Sequence, residues 1–351
     1  MNKIKGPAIF LAQFISDEAP FNTLEGLASW AADKGFKAVQ MPTLNPEIFD
    51  LEKAANDLTY CQSVQATLSK YDLEISELST HIQGQMFAVH SAYSDLMDQL
   101  VPDEVKGDPE KRFAWAKEQM SFAAKASHNL GLTAIATFSG SLLWAYVYPW
   151  PQRPKGLVEE GFKELAKRWL PTLNEFDRYG VDLCFELHPG EDLFDGATFD
   201  RFLAEVDGHP RANILFDPSH LHLQCIDYLG FIDKYHARIK AFHVKDAEFN
   251  PSASQGVFSG YADWVNRAAR FRSLGDGQID FKAIFSKMVQ YNYAGWAVLE
   301  WECCLKDSEQ GAEEGAKFIE EQLFTPTQKA FDDFAAGEDS QQINKKLLGL
   351  A

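Results

Sequence analysis

One local pattern recurs along this chain and restricts the folds open to it. A helix-like segment ends in glycine, a short apolar run follows, and a polar segment closes the unit. It occurs as DKGFKAVQMP (33–42), NLGLTAIATFSG (129–140), RYGVDLCFELHPG (178–190) and YAGWAVLEWE (293–302). Gly35, Gly131, Gly180 and Gly295 suit the left-handed backbone conformation that ends a helix or turn. The apolar runs do not alternate with polar residues, as expected of parallel strands covered on both faces. Further runs at Ala8–Phe14, Leu73–Leu78, Ala212–Phe216 and Ile239–Val244 bring the number of expected strands to eight.

Helical segments fill the gaps. Asn22 is the expected cap of a first helix, with Glu25 three residues on and Leu24, Leu27, Ala28 and Ala31 as its apolar stripe. Leu51, Ala54, Leu58, Cys61, Gln65 and Leu68 recur at helical spacing. Asp108-Pro109-Glu110 reads as a cap, a first-turn proline and an early acid, opening a helix that runs to about Leu130. Other helices are expected over 156–179, 197–206, 280–291 and 309–323. Strand–helix alternation at this scale predicts an α/β fold, a single (β/α)8 TIM barrel over 1–324, with a C-terminal helix and tail over 325–351. A doubly wound open sheet is the alternative. The first βα turn, near Gln13 to Asn22, carries no GxGxxG and no P-loop, which counts against it. Three βα loops are long: 79–107, 139–155 and 245–279. The second holds Trp144, Tyr146, Tyr148 and Trp150, suited either to stacking on a sugar ring or to an interface in a homo-oligomer.

Composition excludes several partners. Asp and Glu number 51 against 33 Lys and Arg, a formal charge of −18, which repels nucleic acid. No run approaches a membrane span of about 18 apolar residues. The N-terminal apolar run is short and is followed by Asp17 and Glu18, so it reads as a strand, not a secretion signal. Five cysteines without a CxxC pair point to reduced thiols and a cytoplasmic location. Adjacent Cys303 and Cys304 read first as small, partly buried side chains.

Ionisable residues concentrate at strand ends. The fifth strand ends FELHPG (Glu186, His188), the sixth FDPSHLH (Asp217, His220, His222), the seventh FHVKDAE (His243, Lys245, Asp246, Glu248) and the eighth VLEWE (Glu300, Glu302). In a barrel these ends share one mouth. Carboxylates forced together repel and take up protons, a penalty that a divalent cation removes. Carboxylates with one imidazole suit Mn, Mg, Co or Zn, and the lack of thiolates argues against a structural zinc site. A lone buried Asp or His is ordinarily a satisfied structural group; four consecutive strand ends of this kind reverse that weighting. His222 and His209 read as ordinary loop or helix residues, and His90 and His128 have no special claim. Lys245 either pairs with Glu248 at the surface or reaches the site. His81 and Gln83, after the third strand, are expected to line the mouth.

On these residues the chain resembles the xylose-isomerase-like barrels, specifically the sugar isomerase/epimerase group. That group ends its strands in Glu, Asp-x-x-His, His-x-x-Asp and Glu; here these are Glu186, Asp217-Pro-Ser-His220, His243-Val-Lys-Asp246 and Glu300. The LGDGQIDF stretch (274–281) after Arg272 is also similar, and the resemblance spans roughly residues 7–323. It implies that Glu186, Asp217, His243 and Glu300 bind one divalent ion and that Glu186 and Glu300 act as acid and base. It further implies that His220 and Arg272 contact the substrate, a small-molecule sugar, keto-sugar or glycoside; His188, where this group often has another polar residue, His81 and Lys245 are expected beside them from their places at the strand ends. Glu300 and Glu302 face the same side of an extended strand, so the last ligand is ambiguous; Glu300 is preferred because it follows the apolar run directly.

The implied activity is proton transfer next to a sugar carbonyl through an enediolate, giving a metal-dependent isomerase or epimerase. The alternative uses the same first step and then expels a β-leaving group, as in an inosose-dehydratase-like lyase or a 3-keto-glycoside eliminase. The related DNA-repair endonucleases need extra histidines that TFSGS, at the end of the fourth strand, does not supply. A non-catalytic sugar-binding barrel would not need the acid/base carboxylates. Asp276, between Gly275 and Gly277, would repel a phosphate, so a non-phosphorylated sugar is expected.

Overall fold

The computed structural model describes residues 3–259, 261–327 and 341–350. Eight parallel strands close into a barrel: β1 (Lys5–Phe10), β2 (Ala38–Pro42), β3 (Glu74–Ser79), β4 (Ala134–Thr137), β5 (Asp182–Glu186), β6 (Ala212–Phe216), β7 (Ile239–Val244) and β10 (Trp296–Leu299). The order around the barrel is β1-β10-β7-β6-β5-β4-β3-β2, each strand beside its neighbour in sequence among the barrel strands, with β10 closing on β1. This is the expected (β/α)8 architecture, and the open sheet is ruled out. Strands β8 (Asp246–Phe249) and β9 (Ala269–Arg272) form a separate antiparallel pair inside the long segment after β7.

Apolar side chains divide between two places. Helices such as Pro109–Asn129 and Leu157–Tyr179 press their buried faces on the outside of the barrel and form the main core. Inside the barrel are two small groups: Ala8, Phe10, Ala38 and Val298, and Ala136, Cys184, Leu215 and Ala241. Alternation along each strand then fixes what comes next on the inner face. Two residues beyond Cys184, Leu215, Ala241 and Val298 lie Glu186, Asp217, His243 and Glu300. The apolar interior therefore delivers its polar layer at the C-terminal mouth.

Several boundaries differ from the sequence expectation. Thr23, not Asn22, caps the first helix, accepting a hydrogen bond from the Gly26 N–H. The first strand ends at Phe10, where a turn takes over the remaining apolar residues. The stripe from Leu51 to Leu68 is two helices, Leu51–Asn56 and Leu58–Ser69, because Asp57 is extended and its carboxylate caps the second. Gly35, Gly131 and Gly180 are left-handed, but Gly295 is not; a Cβ there would come within 2.4 Å of the Tyr293 hydroxyl. The last barrel helix is Ser308–Gln322. The tail expected over 325–351 lies partly outside the described residues; within it Gln341–Leu347 is helical. Among the described residues no helix is long and apolar enough to cross a membrane. All five cysteines are free thiols.

Candidate metal centre and active site

Each polar side chain reaches the mouth through a simple local device. Glu186 ends β5, and His243 lies one residue before the end of β7. Asp217 caps the helix Pro218–Leu223: its Oδ1 accepts from the Ser219 N–H at 2.7 Å, and Pro218 holds the first turn. That turn swings His220 back to 3.4 Å from Asp217 Oδ2. Glu300 follows β10, and its N–H bonds the Val244 carbonyl.

Glu186, Asp217, His243 and Glu300 are buried and each offers a ligand atom within 4.8 Å of the others. Two like charges about 4 Å apart repel by about 4 kcal/mol at an effective dielectric near 20. Such a set persists only with cations nearby. Lys245 provides one: its Nζ lies 2.9 Å from Glu300, 3.1 Å from Glu302 and 3.5 Å from Asp217. Burial alone would raise Glu300, yet Lys245 and His243 hold it well below the carboxylate range. Burial would likewise raise Glu186, but His220 and His81 hold it down. Asp217 is pushed up to about 8 by burial and by Glu186 and Glu300, against the pull of Lys245. Burial would lower His243, but Glu300 raises it to about 9. Burial and Lys245 lower His220 to about 3, so it is a neutral imidazole.

Glu186 Oε1 and Asp217 Oδ2 are buried and accept no well-aligned hydrogen bond, although His220 Nε2 lies 3.1 Å from the first and 3.4 Å from the second, and Lys245 Nζ lies 3.5 Å from the second. Buried carboxylate oxygens without donors are costly, and a divalent ion would satisfy both. The donor set, oxygen-rich with one imidazole nitrogen, fits such an ion.

The surrounding residues fix this set. His243 Nδ1 faces Glu300 at 3.0 Å, while its Nε2 meets the Gln40 amide. Gln40 Nε2 donates to Glu77 Oε1 at 2.6 Å, and His243 Nε2 lies 3.0 Å from that amide nitrogen and 3.1 Å from the amide oxygen. An ion held by Nδ1 would take the place of the proton that faces Glu300. Gln13 donates to Glu300 at 3.3 Å. His81 Nε2 lies 2.8 Å from Glu186 Oε2, with Nδ1 bonded to the Ser79 hydroxyl. The His188 ring packs on His220, 4.1 Å between centroids, and its Nδ1 donates to the Pro189 carbonyl.

Of the residues expected at the site, His81, His188, His220 and Lys245 gather around the four candidate ligands. Lys245 turns inward and does not pair with Glu248. Glu302 reaches Lys245, and its side chain is 39% exposed, whereas Glu300 is in the buried set. Arg272 stands apart: it pairs with Glu248 at 2.9 Å and approaches Asp276 at 3.9 Å. Gln83 is buried but bonds Thr43. Cys303 accepts from the Lys306 N–H and Cys304 donates to the Trp264 carbonyl. Sequence reasoning missed Gln40, Glu77, Gln13 and Asp192. Gln40 carried a signal, a lone amide inside the buried run AVQMP. Asp192 ties the segment after β4 to the segment after β5, accepting from the N–H groups of Leu142 and Leu143 and the Ser141 hydroxyl.

Fold and site together define a TIM barrel with a buried carboxylate–imidazole set that could hold a metal ion at its C-terminal mouth. Comparison with known proteins narrows the class: residues 28–322 match the family model described as xylose isomerase-like TIM barrel, and the chain belongs to that family. Among curated relatives, an inosose dehydratase from Bacillus velezensis is 31% identical over 134 residues, covering 35% of this chain and 41% of the relative. Another from Salmonella typhimurium is 30% identical over 153 residues, covering 41% and 48%. The match thus spans less than half the length of these relatives. Among solved structures, a 3-keto-D-glucoside 4-epimerase from E. coli superimposes with a TM-score of 0.61 at 15% identity, covering 92% of this chain and 100% of that one. A probable 3-DHS dehydratase from Bacillus anthracis gives 0.60 at 17% identity, covering 91% and 99%. At these identities the structures share the fold.

Proposed function

We propose that this chain is a divalent-metal-dependent enzyme that removes a proton from the carbon beside a sugar carbonyl, with Glu186 and Glu300 as its acid/base pair. The convergence of Glu186, Asp217, His243 and Glu300 within 4.8 Å carries this reading. These four would hold the ion, whose identity among Mn, Mg, Co and Zn the donor set leaves open. A bound divalent ion supplies Lewis-acid stabilisation of negative charge on substrate oxygens.

The chain's own residues move the proton. Glu186 and Glu300 are both held ionised despite burial, one by His220 and His81, the other by Lys245 and His243. They arrive from strand positions separated by β7 and β6. A carbon between them can lose a proton to one carboxylate, and the other returns one to the opposite face once it has itself taken up a proton from solvent or a substrate hydroxyl. Such a pair is what an isomerase or epimerase acting through an enediolate requires. His81, His188, His220 and Lys245 surround the pair and supply hydrogen bonds for sugar hydroxyls. Arg272, committed to Glu248, would join them only by leaving that partner.

A second reading keeps the proton abstraction and adds loss of a β-leaving group. The inosose dehydratase relatives favour it. Incubation with keto-sugars in deuterated water separates the two. Deuterium uptake with every substituent retained supports the isomerase or epimerase; loss of a hydroxyl or alcohol supports the lyase. In either case Glu186→Gln should cut turnover by at least about a thousandfold, on the scale of a lost catalytic group, while circular dichroism stays native. Unchanged turnover in that variant would remove Glu186 from the mechanism.

A further inference from the structure

A second chamber adjoins the ion-binding set and is built for different chemistry. It encloses about 540 Å³ and shares His188 and His220 with the site. Beyond those two rings its walls are mostly apolar. Trp144 and Tyr148 come from the segment after β4, Phe271 from β9, and Phe258 and Trp264 from the segment between β8 and β9. Two ring contacts join its walls: Tyr148 meets Phe258 edge-on at 6.1 Å, and Trp264 packs on Phe271 at 4.9 Å.

Its polar groups are few and mostly committed. Gln224 Nε2 is spent on the Phe194 and His220 carbonyls. Arg267 lies over the Trp264 ring and gives Nη1 to the Ala262 carbonyl, but its Nε is buried and has no acceptor. Sugar hydroxyls find few partners along such walls, which favours an apolar group there. A flat aromatic ring gains from them. The volume falls in the range of pockets that enclose drug-sized ligands, roughly 300–1,000 Å³.

We propose that the substrate is a glycoside: its sugar sits at the carboxylate–imidazole set and its aromatic aglycone fills this chamber. The proposal rests on the sugar reading above for the identity of the other half of the ligand.

Calorimetric titration of the full-length, manganese-supplemented Glu186→Gln protein tests it without turnover. The probes are 4-nitrophenyl β-D-glucopyranoside, methyl β-D-glucopyranoside and 4-nitrophenol. The expected result is about tenfold or more tighter binding of the nitrophenyl than of the methyl glucoside, from burial of one ring, with 4-nitrophenol competing. Trp264→Ala and Val257→Glu, both at partly exposed positions that line the chamber outside the barrel, should each abolish most of that preference. Equal affinity for the two glucosides, absent binding of both aromatic probes, or a preference that survives both substitutions overturns the proposal. The chemistry fails separately: aromatic preference with no deuterium exchange into keto-sugars by the unsubstituted enzyme sinks the proton-transfer reading and leaves the chamber assignment standing.

Discussion

To ligate through Nδ1, His243 would have to keep its other proton on Nε2, and the side chain at that edge is Gln40. A side-chain amide offers both a donor and an acceptor, so by itself it does not select a tautomer. Glu77, buried beneath it, accepts from the amide nitrogen and pins the amide against the imidazole, where an ion on Nδ1 would select the amide oxygen as acceptor. Removing such an orienting partner lowers metal affinity by about 10- to 100-fold. Gln40→Leu should therefore weaken manganese binding by that factor, measured by competition with a chelator, in a protein of native circular dichroism. Unchanged affinity would show that His243 is oriented by the carboxylates alone. The ligand candidates were legible because each is an ionisable residue closing an apolar run. Gln40 and Glu77 lie far apart from His243 in the chain, and their pairing exists only across the barrel.

Among elements, the antiparallel pair β8–β9 was the least expected, since its strands are short and the segment between them is long. Asp246 holds its base. One carboxylate accepts from the N–H groups of Ala247, Gly275, Gly277 and Ile279. A Cβ on Gly277 would lie 2.1 Å from Asp246 Oδ1, and Gly275 is left-handed, so the Gly-Asp-Gly spacing serves this clasp. Asp276 between them pairs with Lys306 at 2.6 Å. Asp246→Ala leaves four backbone donors without their acceptor and should destabilise the protein by about 2–4 kcal/mol. A denaturant midpoint equal to that of the unsubstituted protein would contradict the clasp. Helical periodicity likewise misjudged residues 51–68, because a stripe continues through a break. Asp57 caps locally, and the apolar spacing on either side hides it.

The whole molecule is organised around an accumulation of charge that the barrel closes upon. An ion that binds the folded state alone stabilises it, by about 2.7 kcal/mol at a concentration a hundred times its dissociation constant. Thermal unfolding should therefore shift upward with added manganese and downward with EDTA; a Tm indifferent to both would remove the metal centre. The number of strands, their parallel arrangement and the mouth to which the acids belong were determined by the sequence, because apolar runs of strand length between helices can be buried on both faces only in such a layered fold. Alternation with a period of two also put Glu186, Asp217 and His243 on one surface. That same period cannot separate Glu300 from Glu302 or say which way Lys245 turns, since each choice keeps the pattern. Only closure of the barrel decided those points: it set the depth of each side chain, drew Lys245 between Glu300 and Glu302, and left the outer glutamate partly in solvent. Depth in a barrel depends on neighbours contributed by distant strands, and no local stretch of sequence contains it.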